Sequence, residues 1–555
     1  MTGFLAAALV AGIGASGAEA AVPAAAWKDV VVTGPGGAGD AARAVDQAGG
    51  DVVASLPIVE GVAARLPLGA SLPARWSVTP QRTLTTAATD DGASGPTSTV
   101  RQTLGLPSDS REGAGITVAV MDTGVADVPD LAGRIADRVD ITGGVGGDGH
   151  GHGTFMAGLI AGSGEASGGA YRGVAPEADI VDVKVADEHG STDLITVLRG
   201  LQWVDDHRRD IQVLNLSLSS GSPLPYQIDP LTQALDALWR KGVVVVVPAG
   251  NTGPSAGSLT SPGNDPTLLT VAGLDEAGTA DRADDSVAGW SGRGRDGALA
   301  QPDLAAPGAS VVGLLAPGSV IATSYPAARV GEAYIRGSGS SMSTAVTSGI
   351  VAAVLSRRPA LRPDAVTGLL TSTAYATPGL ASAPAAGAGG LDAAQALANA
   401  KTYRPAPSRP DRDAALLAAD ARWWTALDEA VRSGDGAAAT KAWYQLSVDS
   451  RAGASRAWAD LDFTSRAWAS RAWASGSWTS RAWAGAEGTD EQWVSRAWAS
   501  RAWASRAWAG EGWASRAWAG EDWASRAWAD ADWQSRAWAA DRWSSRAWAW
   551  LPPVR

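Results

Sequence analysis

Short apolar runs alternate with amphipathic stretches between residues 115 and 398. Four runs are largely apolar, without the clean polar alternation of a half-exposed strand: Ile116–Val120, Ile180–Val185, Ile211–Leu218 and Gly242–Val247. Between them, 195–209 and 230–240 carry apolar residues at helical spacing. Strands that are apolar on both faces and separated by helices predict a mostly parallel sheet that helices cover on both sides. The segment from 115 to 398 is long enough for one large α/β core.

A smaller pattern precedes this core. Residues 29–33, 51–55 and 61–66 have strand-like patterns, and Asp40–Ala48 has a helical one. Asp40 is the expected N-cap of that helix, and Gly49-Gly50 is the expected stop. These features predict a small β-α-β-β unit. The following residues, 87–110, are rich in Ser, Thr, Gly and Asp, which is typical of a linker.

The first residues contain an apolar run, Phe4–Ala15, followed by Ala18-Glu19-Ala20. The run is shorter than the about 20 residues that cross a membrane, and it has the length of a signal-peptide core before a small-x-small cleavage site. We therefore expect a signal peptide over residues 1–20, although no Lys or Arg precedes the run. The protein is then expected to be secreted or extracellular, with cell-surface association as an open alternative. The competing interpretation is an ordinary apolar N-terminal helix on an intracellular protein.

The C-terminal part of the chain has its own composition. Residues 401–412 form a proline-rich linker, 413–450 a predicted helical segment, and 451–550 a repeat of Ser-Arg-Ala-Trp-Ala. Trp at every fifth position would spiral around a helix and alternate between the faces of a strand. The structure of this repeat therefore stays uncertain, with three alternatives: Trp rows that stack on cell-wall polysaccharide, a compact Trp-rich domain, and partial disorder. The recurring Arg argues against a membrane span.

Charge and composition exclude several classes of function. The net charge is -12, which argues against nucleic-acid binding. The absence of cysteine excludes disulfides, thiolate metal ligands and cysteine nucleophiles. His150 and His152 form a His-x-His pair, but no third ligand clusters with them in the sequence, so we expect no zinc site.

Three segments contain residue types that nucleophilic catalysis needs. Asp122 ends the first core strand, where open α/β sheets place their sites. His152 and Ser341 each lie at the start of a predicted helix, where backbone N–H groups favour negative charge. A serine hydroxyl needs a base, and the base needs a carboxylate to fix its tautomer. Asn251 follows another core strand, where its amide can donate to an oxyanion.

Each of these residues alone is more often a cap or loop residue than a functional one. Asp122-Thr123-Gly124 is also the motif of aspartic proteases, which need a second such carboxylate. The chain has no second DTG or DSG, so that mechanism is not expected.

Seven motifs occur in the order found in one family: DTGV, GHGTFMAG, GVAP, VLNLSL, PAGN, AAPG and GSSMSTA. Over roughly residues 100–400 the chain resembles the subtilisin-like serine endopeptidases, peptidase family S8. The resemblance implies a three-layer α/β peptidase domain over 111–400. It also implies a small α+β prodomain over 21–86, which lies in the substrate cleft until cleavage in the linker and maturation region 87–110. The alternative is an ordinary small N-terminal domain.

The resemblance also assigns roles to individual residues. It implies that Asp122 orients the base His152, and that Ser341 is the nucleophile. Asn251 and the Ser341 N–H would form the oxyanion hole. Ser217, Leu218 and Gly250 would line the cleft for a protein or peptide substrate. No cofactor is needed for this catalysis, and structural calcium stays an open alternative without a located site.

The nucleophile segment departs from the usual GTSMATPH of this family. Ser340, Ser343, Ala345 and Val346 stand in the places of Thr, Ala, Pro and His. None of these changes removes a reacting group, although Ala345 lacks the restriction that proline gives the helix start. The resemblance, together with the predicted signal peptide, implies an active secreted endopeptidase made as a precursor. The alternative is an inactive subtilisin-like scaffold that binds through its Trp-rich tail.

Overall fold

The computed structural model describes residues 27–405, except 35, 74, 87–98, 108–111, 145, 221–225, 227–228 and 296–299, together with the single positions 423, 426 and 442. The predicted signal peptide and the SRAWA repeat lie outside the described residues, as does nearly all of the predicted helical segment 413–450. None of the helices in the described part of the chain has both the length and the apolar character needed to cross a bilayer.

An antiparallel sheet with one helix forms the N-terminal unit. Its elements are β1 (Trp27–Thr33), α1 (Gly37–Gln47), β2 (Asp51–Leu56), β3 (Gly61–Pro67) and β4 (Ser77–Pro80). The strand order is β2-β3-β1-β4. Buried Val30, Val45 and Leu66 pack with Trp76 in a core of their own. The predicted β-α-β-β order is therefore present, with a fourth strand added at one edge.

Helix α1 begins three residues before the predicted start. The expectation that Asp40 caps it is wrong, because Gly36 occupies the N-cap with a φ of 97° and no side chain caps the helix. A left-handed φ favours glycine, which explains why the helix starts there. Asp40 lies in the first turn and pairs with Arg43 instead.

The remaining elements build the larger unit. The strands are β5 (Thr83–Thr86), β6 (Thr117–Asp122), β7 (Ile135–Asp140), β8 (Asp179–Lys184), β9 (Ser191–Asp193), β10 (Val213–Leu216), β11 (Leu218–Ser219), β12 (Val244–Pro248), β13 (Leu269–Asp275), β14 (Ser286–Val287), β15 (Leu304–Pro307), β16 (Val311–Leu314), β17 (Arg329–Val330) and β18 (Tyr334–Gly337). The helices are α2 (Val100–Thr103), α3 (His152–Ala161), α4 (Leu194–Asp206), α5 (Pro230–Arg240), α6 (Val320–Ser324), α7 (Ser340–Arg357), α8 (Pro363–Thr373), α9 (Ala383–Ala386) and α10 (Ala393–Asn399).

The central sheet has eight strands in the order β14-β13-β12-β10-β6-β8-β7, with β15 also paired to β13. All of its pairs are parallel except β13 with β14. Helices α4 and α5 pack against each other, as do α3 and α7. The predicted mostly parallel α/β fold is confirmed. The buried strand β6 lies between β10 and β8, which brings its carboxyl end to the middle of the sheet edge.

Strand β5 leaves the N-terminal unit and enters the larger one. It pairs antiparallel with β9 on one side and with β11 on the other. Its Leu84 is 1% exposed and belongs to the main hydrophobic core. The N-terminal unit is therefore joined to the larger unit by a strand, as well as by packing of β2 against α4.

Part of the segment predicted as a linker is folded. Residues 100–103 form α2, and the side chains of Val100 and Leu104 are buried in the main core. Glu276 anchors Thr99, the residue before α2. The Glu276 Oε1 accepts from Thr99 N at 3.1 Å and also from the Thr99 hydroxyl. Composition alone indicated a linker here, since the apolar residues are few and their partners are distant in sequence.

Glu276 gives the fold a dependence on pH. Burial raises the pKa of Glu276 from 4.5 to about 7, although the two hydrogen bonds from Thr99 oppose the rise. The folded chain then binds this proton more tightly than the unfolded chain. The free energy of unfolding of the protein should therefore fall as the pH rises from 4.5 to about 7. Glu276→Gln keeps an acceptor for Thr99 but cannot ionise, so up to about 3 kcal/mol of this fall should disappear.

Urea unfolding at pH 4.5 and at pH about 7 measures the free energy of unfolding with and without Glu276→Gln. All chains also carry Ser341→Ala to prevent self-digestion. Glu188→Gln serves as the matched control, since the Glu188 side chain is 68% exposed. An unchanged pH dependence in Glu276→Gln would contradict the assignment.

Candidate active site

Asp122 and His152 form a buried hydrogen-bonded pair at the carboxyl end of β6. His152 Nδ1 lies 2.8 Å from Asp122 Oδ1, and both side chains are almost completely buried. Thr123 N donates to the same carboxylate oxygen at 2.8 Å. With the proton on Nδ1, the carboxylate accepts it and the unprotonated Nε2 is left as a base.

The glycine after His152 allows this pair to form. A Cβ at Gly153 would lie 2.1 Å from Gly124 O and 3.2 Å from Asp122 Cβ. The start of α3 can therefore approach the end of β6 only with glycine at this position. Gly151, with a φ of 102°, is the N-cap of α3 and turns the chain into the helix.

Asp148 joins the two segments, although sequence reasoning assigned it no role. Its carboxylate accepts from Thr123 Oγ1 at 2.8 Å, from Gly151 N at 2.6 Å and from Thr154 N at 2.8 Å. It therefore fixes the loop that precedes His152 to the residue that follows Asp122. The available signal was a single acidic residue within the glycine- and histidine-rich run at 146–153.

Lys184 is a second residue that sequence reasoning missed. It ends β8, is largely buried, and donates from Nζ to Gly147 O at 2.7 Å and to Thr123 O at 3.0 Å. Both acceptors are backbone carbonyls, so no sequence motif marks this contact.

His150 lies beside the pair, with its ring centroid 6.2 Å from that of His152. Burial lowers the pKa of His150, and the nearby His152 lowers it further. The part of the chain that the structure describes contains no group of three His, Asp or Glu residues able to hold a metal ion.

Ser341 is the second residue of α7, which packs against α3. In this structure the Ser341 Oγ donates to Ser217 O at 3.2 Å. His152 Nε2 is buried and has no hydrogen-bond partner, so Ser341 makes no hydrogen bond to it in this structure. Such bonds are often absent until substrate is bound. Helix α7 packs against α3, which begins with His152, and a bond to His152 Nε2 would require the Ser341 hydroxyl to leave Ser217 O.

Asn251 presents a donor without a partner. It follows β12, and its Oδ1 accepts from Ser340 N at 3.0 Å and from Ser340 Oγ at 2.9 Å. The amide Nδ2 is buried and has no hydrogen-bond partner. A buried donor without an acceptor is costly, which fits a group that awaits an oxyanion. The hydroxyl of Ser340 also explains why Ser can stand in the place of the usual Thr.

The chain's own β5 lies along the expected substrate cleft. Thr86 pairs with Leu218, and Thr85 pairs with Ser219. On the other side, Thr86 N donates to Gly190 O at 3.1 Å. Ser217, at the inner end of this pairing, touches Ser341.

Gly250 lies next to Asn251 and has a φ of 90°. A Cβ at this position would lie 2.2 Å from the Thr260 hydroxyl oxygen. Glycine is therefore required by the backbone conformation and by the space at this point of the chain.

Comparison with known proteins places this architecture in a family. Residues 113–401 match the family model of the S8 peptidases, described as the subtilase family. The serine protease AprX of Bacillus subtilis (strain 168) is 41% identical over 269 residues, which are 46% of this chain and 61% of that protein. Subtilisin Savinase of Lederbergia lenta is 33% identical over 249 residues, 44% of this chain and 78% of that protein.

Among solved structures, fervidolysin from Fervidobacterium pennivorans, a keratinolytic enzyme related to subtilisin, superimposes with a TM-score of 0.52. The match covers 69% of this chain and 62% of fervidolysin at 24% identity, which supports the fold alone. The chain spans less than two thirds of the length of AprX. Because the family match covers more than half of the sequence and most of the larger unit, the chain belongs to the subtilase family.

Proposed function

We propose that the chain is a secreted serine endopeptidase that is made as a precursor. The observation that carries this proposal is the buried 2.8 Å hydrogen bond between His152 Nδ1 and Asp122 Oδ1, which leaves Nε2 available as a base. A nucleophilic hydroxyl on the adjacent helix start completes the set of groups that acyl transfer requires.

The reaction would proceed through an acyl-enzyme. Ser341 Oγ attacks the peptide carbonyl carbon while His152 Nε2 accepts its proton, and the imidazolium is stabilised by Asp122. The carbonyl oxygen becomes an oxyanion that accepts from Asn251 Nδ2 and from the Ser341 N–H. His152 then returns the proton to the leaving amine, and a water molecule, activated by the same base, hydrolyses the ester.

The precursor proposal is supported by β5 in the cleft. A strand that pairs on both sides with the cleft walls excludes an extended substrate from the same place. Thr86, the last residue of β5, pairs with Leu218, and the preceding Ser217 accepts a hydrogen bond from the Ser341 hydroxyl. We therefore expect self-cleavage at the bond that follows Ala87.

The test is labelling with a fluorophosphonate probe, followed by intact-mass measurement and peptide mapping. Wild type should carry one adduct on Ser341 and should lose the mass of its segment up to Ala87. The Ser341→Ala chain should carry no adduct and remain whole, while Ser340→Ala serves as the control for the neighbouring hydroxyl. A folded chain that has lost its N-terminal segment and still takes no label would instead favour the inactive scaffold.

A further inference from the structure

A buried ion pair joins the N-terminal segment to the larger unit next to the cleft. Arg82, just before β5, donates from Nη2 to Asp229 Oδ1 at 2.7 Å and to Oδ2 at 2.9 Å. The side chain of Arg82 is 15% exposed and that of Asp229 is 0% exposed. Charge-assisted hydrogen bonds between such buried groups are strong and sensitive to geometry.

The larger unit fixes the Asp229 carboxylate independently of Arg82. Asp229 is the N-cap of α5, where its Oδ1 accepts from Leu231 N at 3.0 Å. Ser261 Oγ donates to its Oδ2 at 3.2 Å. These contacts remain when the N-terminal segment departs, whereas the guanidinium does not. A buried carboxylate that loses its cation is strongly unfavourable, so the site should attract another one.

The backbone register shows which substrate residue would reach this carboxylate. Leu194 N donates to Arg82 O at 3.0 Å, so the extended path of β5 already includes Arg82. Thr83 then pairs with Asp193, and Leu84 with Thr192. A peptide that adds to the same two edges takes the same register, because pairing to fixed strands determines which side chains face which pocket.

We propose that Asp229 is a specificity-determining residue that recognises a lysine or arginine of the polypeptide substrate, at the strand position that Arg82 holds in the precursor. This inference rests on the proposed function, since the substrate must replace β5. In the substrate, this basic residue lies two positions before the residue that would occupy the place of Leu84. Counted from a cleavage after Ala87, it is the sixth residue on the N-terminal side of the cleaved bond.

The experiment uses peptides that copy residues 79–92 of the chain and the enzyme after processing. The parent peptide carries Arg at the position of Arg82, and three variants carry Arg82→Lys, Arg82→Gln, and Arg82→Gln together with Thr85→Arg. The last peptide keeps the net charge but moves the cation to a position that is exposed in β5. Each peptide is cleaved by wild type, by Asp229→Asn, which retains a cap for α5, and by Glu188→Gln.

For wild type, kcat/KM should be about tenfold or more higher with Arg than with Gln, and the charge-matched peptide should behave like the Gln peptide. Lys should preserve most of the preference. In Asp229→Asn the ratio of Arg to Gln should fall to about one, because the Arg peptide alone loses its partner. Glu188→Gln, which removes an exposed carboxylate, should keep the wild-type ratio. Equal kcat/KM for the Arg and Gln peptides on wild type would overturn the proposal.

A second measurement decides the matter without turnover. If wild type cleaves no peptide at all, the proposed function fails, and hydrogen exchange in the full-length Ser341→Ala chain tests recognition alone. Arg82→Gln should then raise the exchange rate of the Thr86 amide, which donates to Gly190 O, by about tenfold or more. Arg65→Gln, which breaks an exposed ion pair with Asp29, is the matched control and should leave that rate unchanged. An unchanged rate in Arg82→Gln would also overturn the proposal.

Discussion

Asp122→Asn is expected to lower kcat by about four orders of magnitude while leaving the fold intact. The carboxylate accepts the proton on His152 Nδ1, whereas an asparagine amide can donate to Nδ1 and stabilise the other tautomer. The proton would then occupy Nε2, which could no longer accept from Ser341. The magnitude is the one known for the equivalent substitution in another serine protease.

The measurement is kcat on the parent peptide, with the folded fraction determined by circular dichroism. Asp182→Asn is the matched control, because Asp182 is also a buried aspartate on a neighbouring strand. It accepts from Val125 N at 3.0 Å and makes no hydrogen bond to His152. This control should lose less than about tenfold, as expected for a residue outside the reacting set. A retained rate in Asp122→Asn would remove Asp122 from the mechanism.

Asn251→Ala should lower kcat about 100- to 1000-fold with little change in KM, a range known for the corresponding donor in a subtilisin. Its Nδ2 has no partner in the resting structure, and Ser340 holds its carbonyl oxygen, so the amide is already oriented before an oxyanion forms. A donor used only in the transition state affects kcat rather than KM. Steady-state kinetics on the parent peptide measure both constants.

Ser340→Ala is the informative companion to Asn251→Ala. It removes one of the two hydrogen bonds that orient the amide and retains the donor itself, since Ser340 N still donates to Asn251 Oδ1. We expect a loss smaller than that of Asn251→Ala, again in kcat. A full rate in Asn251→Ala would show that the Ser341 N–H stabilises the oxyanion without help.

The fold could be predicted from sequence wherever a local pattern records burial. The apolar run at 116–120 and the helix pattern at 230–240 overlap or coincide with β6 and α5. The glycine-flanked motif correctly predicted that His152 lies at the start of a helix, here α3. The cap of α1 was wrong because Asp is a frequent N-cap, whereas the turn here needs the left-handed backbone of Gly36.

The supporting contacts could not be predicted, since they join positions that are remote in sequence. Lys184 donates to the backbone carbonyls of Thr123 and Gly147. Every residue type has such a carbonyl, so the sequence does not identify the acceptors. Arg82 and Asp229 are separated by 147 positions, and neither lies in a recognisable motif. A sequence pattern shows which side chains are buried, but the identity of their partners depends on the complete tertiary structure.

The order of strands β8-β6-β10-β12 has a consequence for the time at which activity first arises. Asp122 ends β6, Asn251 follows β12, and Ser341 lies in the first turn of a helix that comes later still in the chain. Folding rates fall as native contacts connect more distant parts of a chain. Asp122, Asn251 and Ser341 come from distant parts of the chain, so they are brought together only when the strands and the helix that hold them have all packed. We expect hydrolytic capacity to emerge only after the whole sheet has assembled, so partly folded chains should not cleave one another.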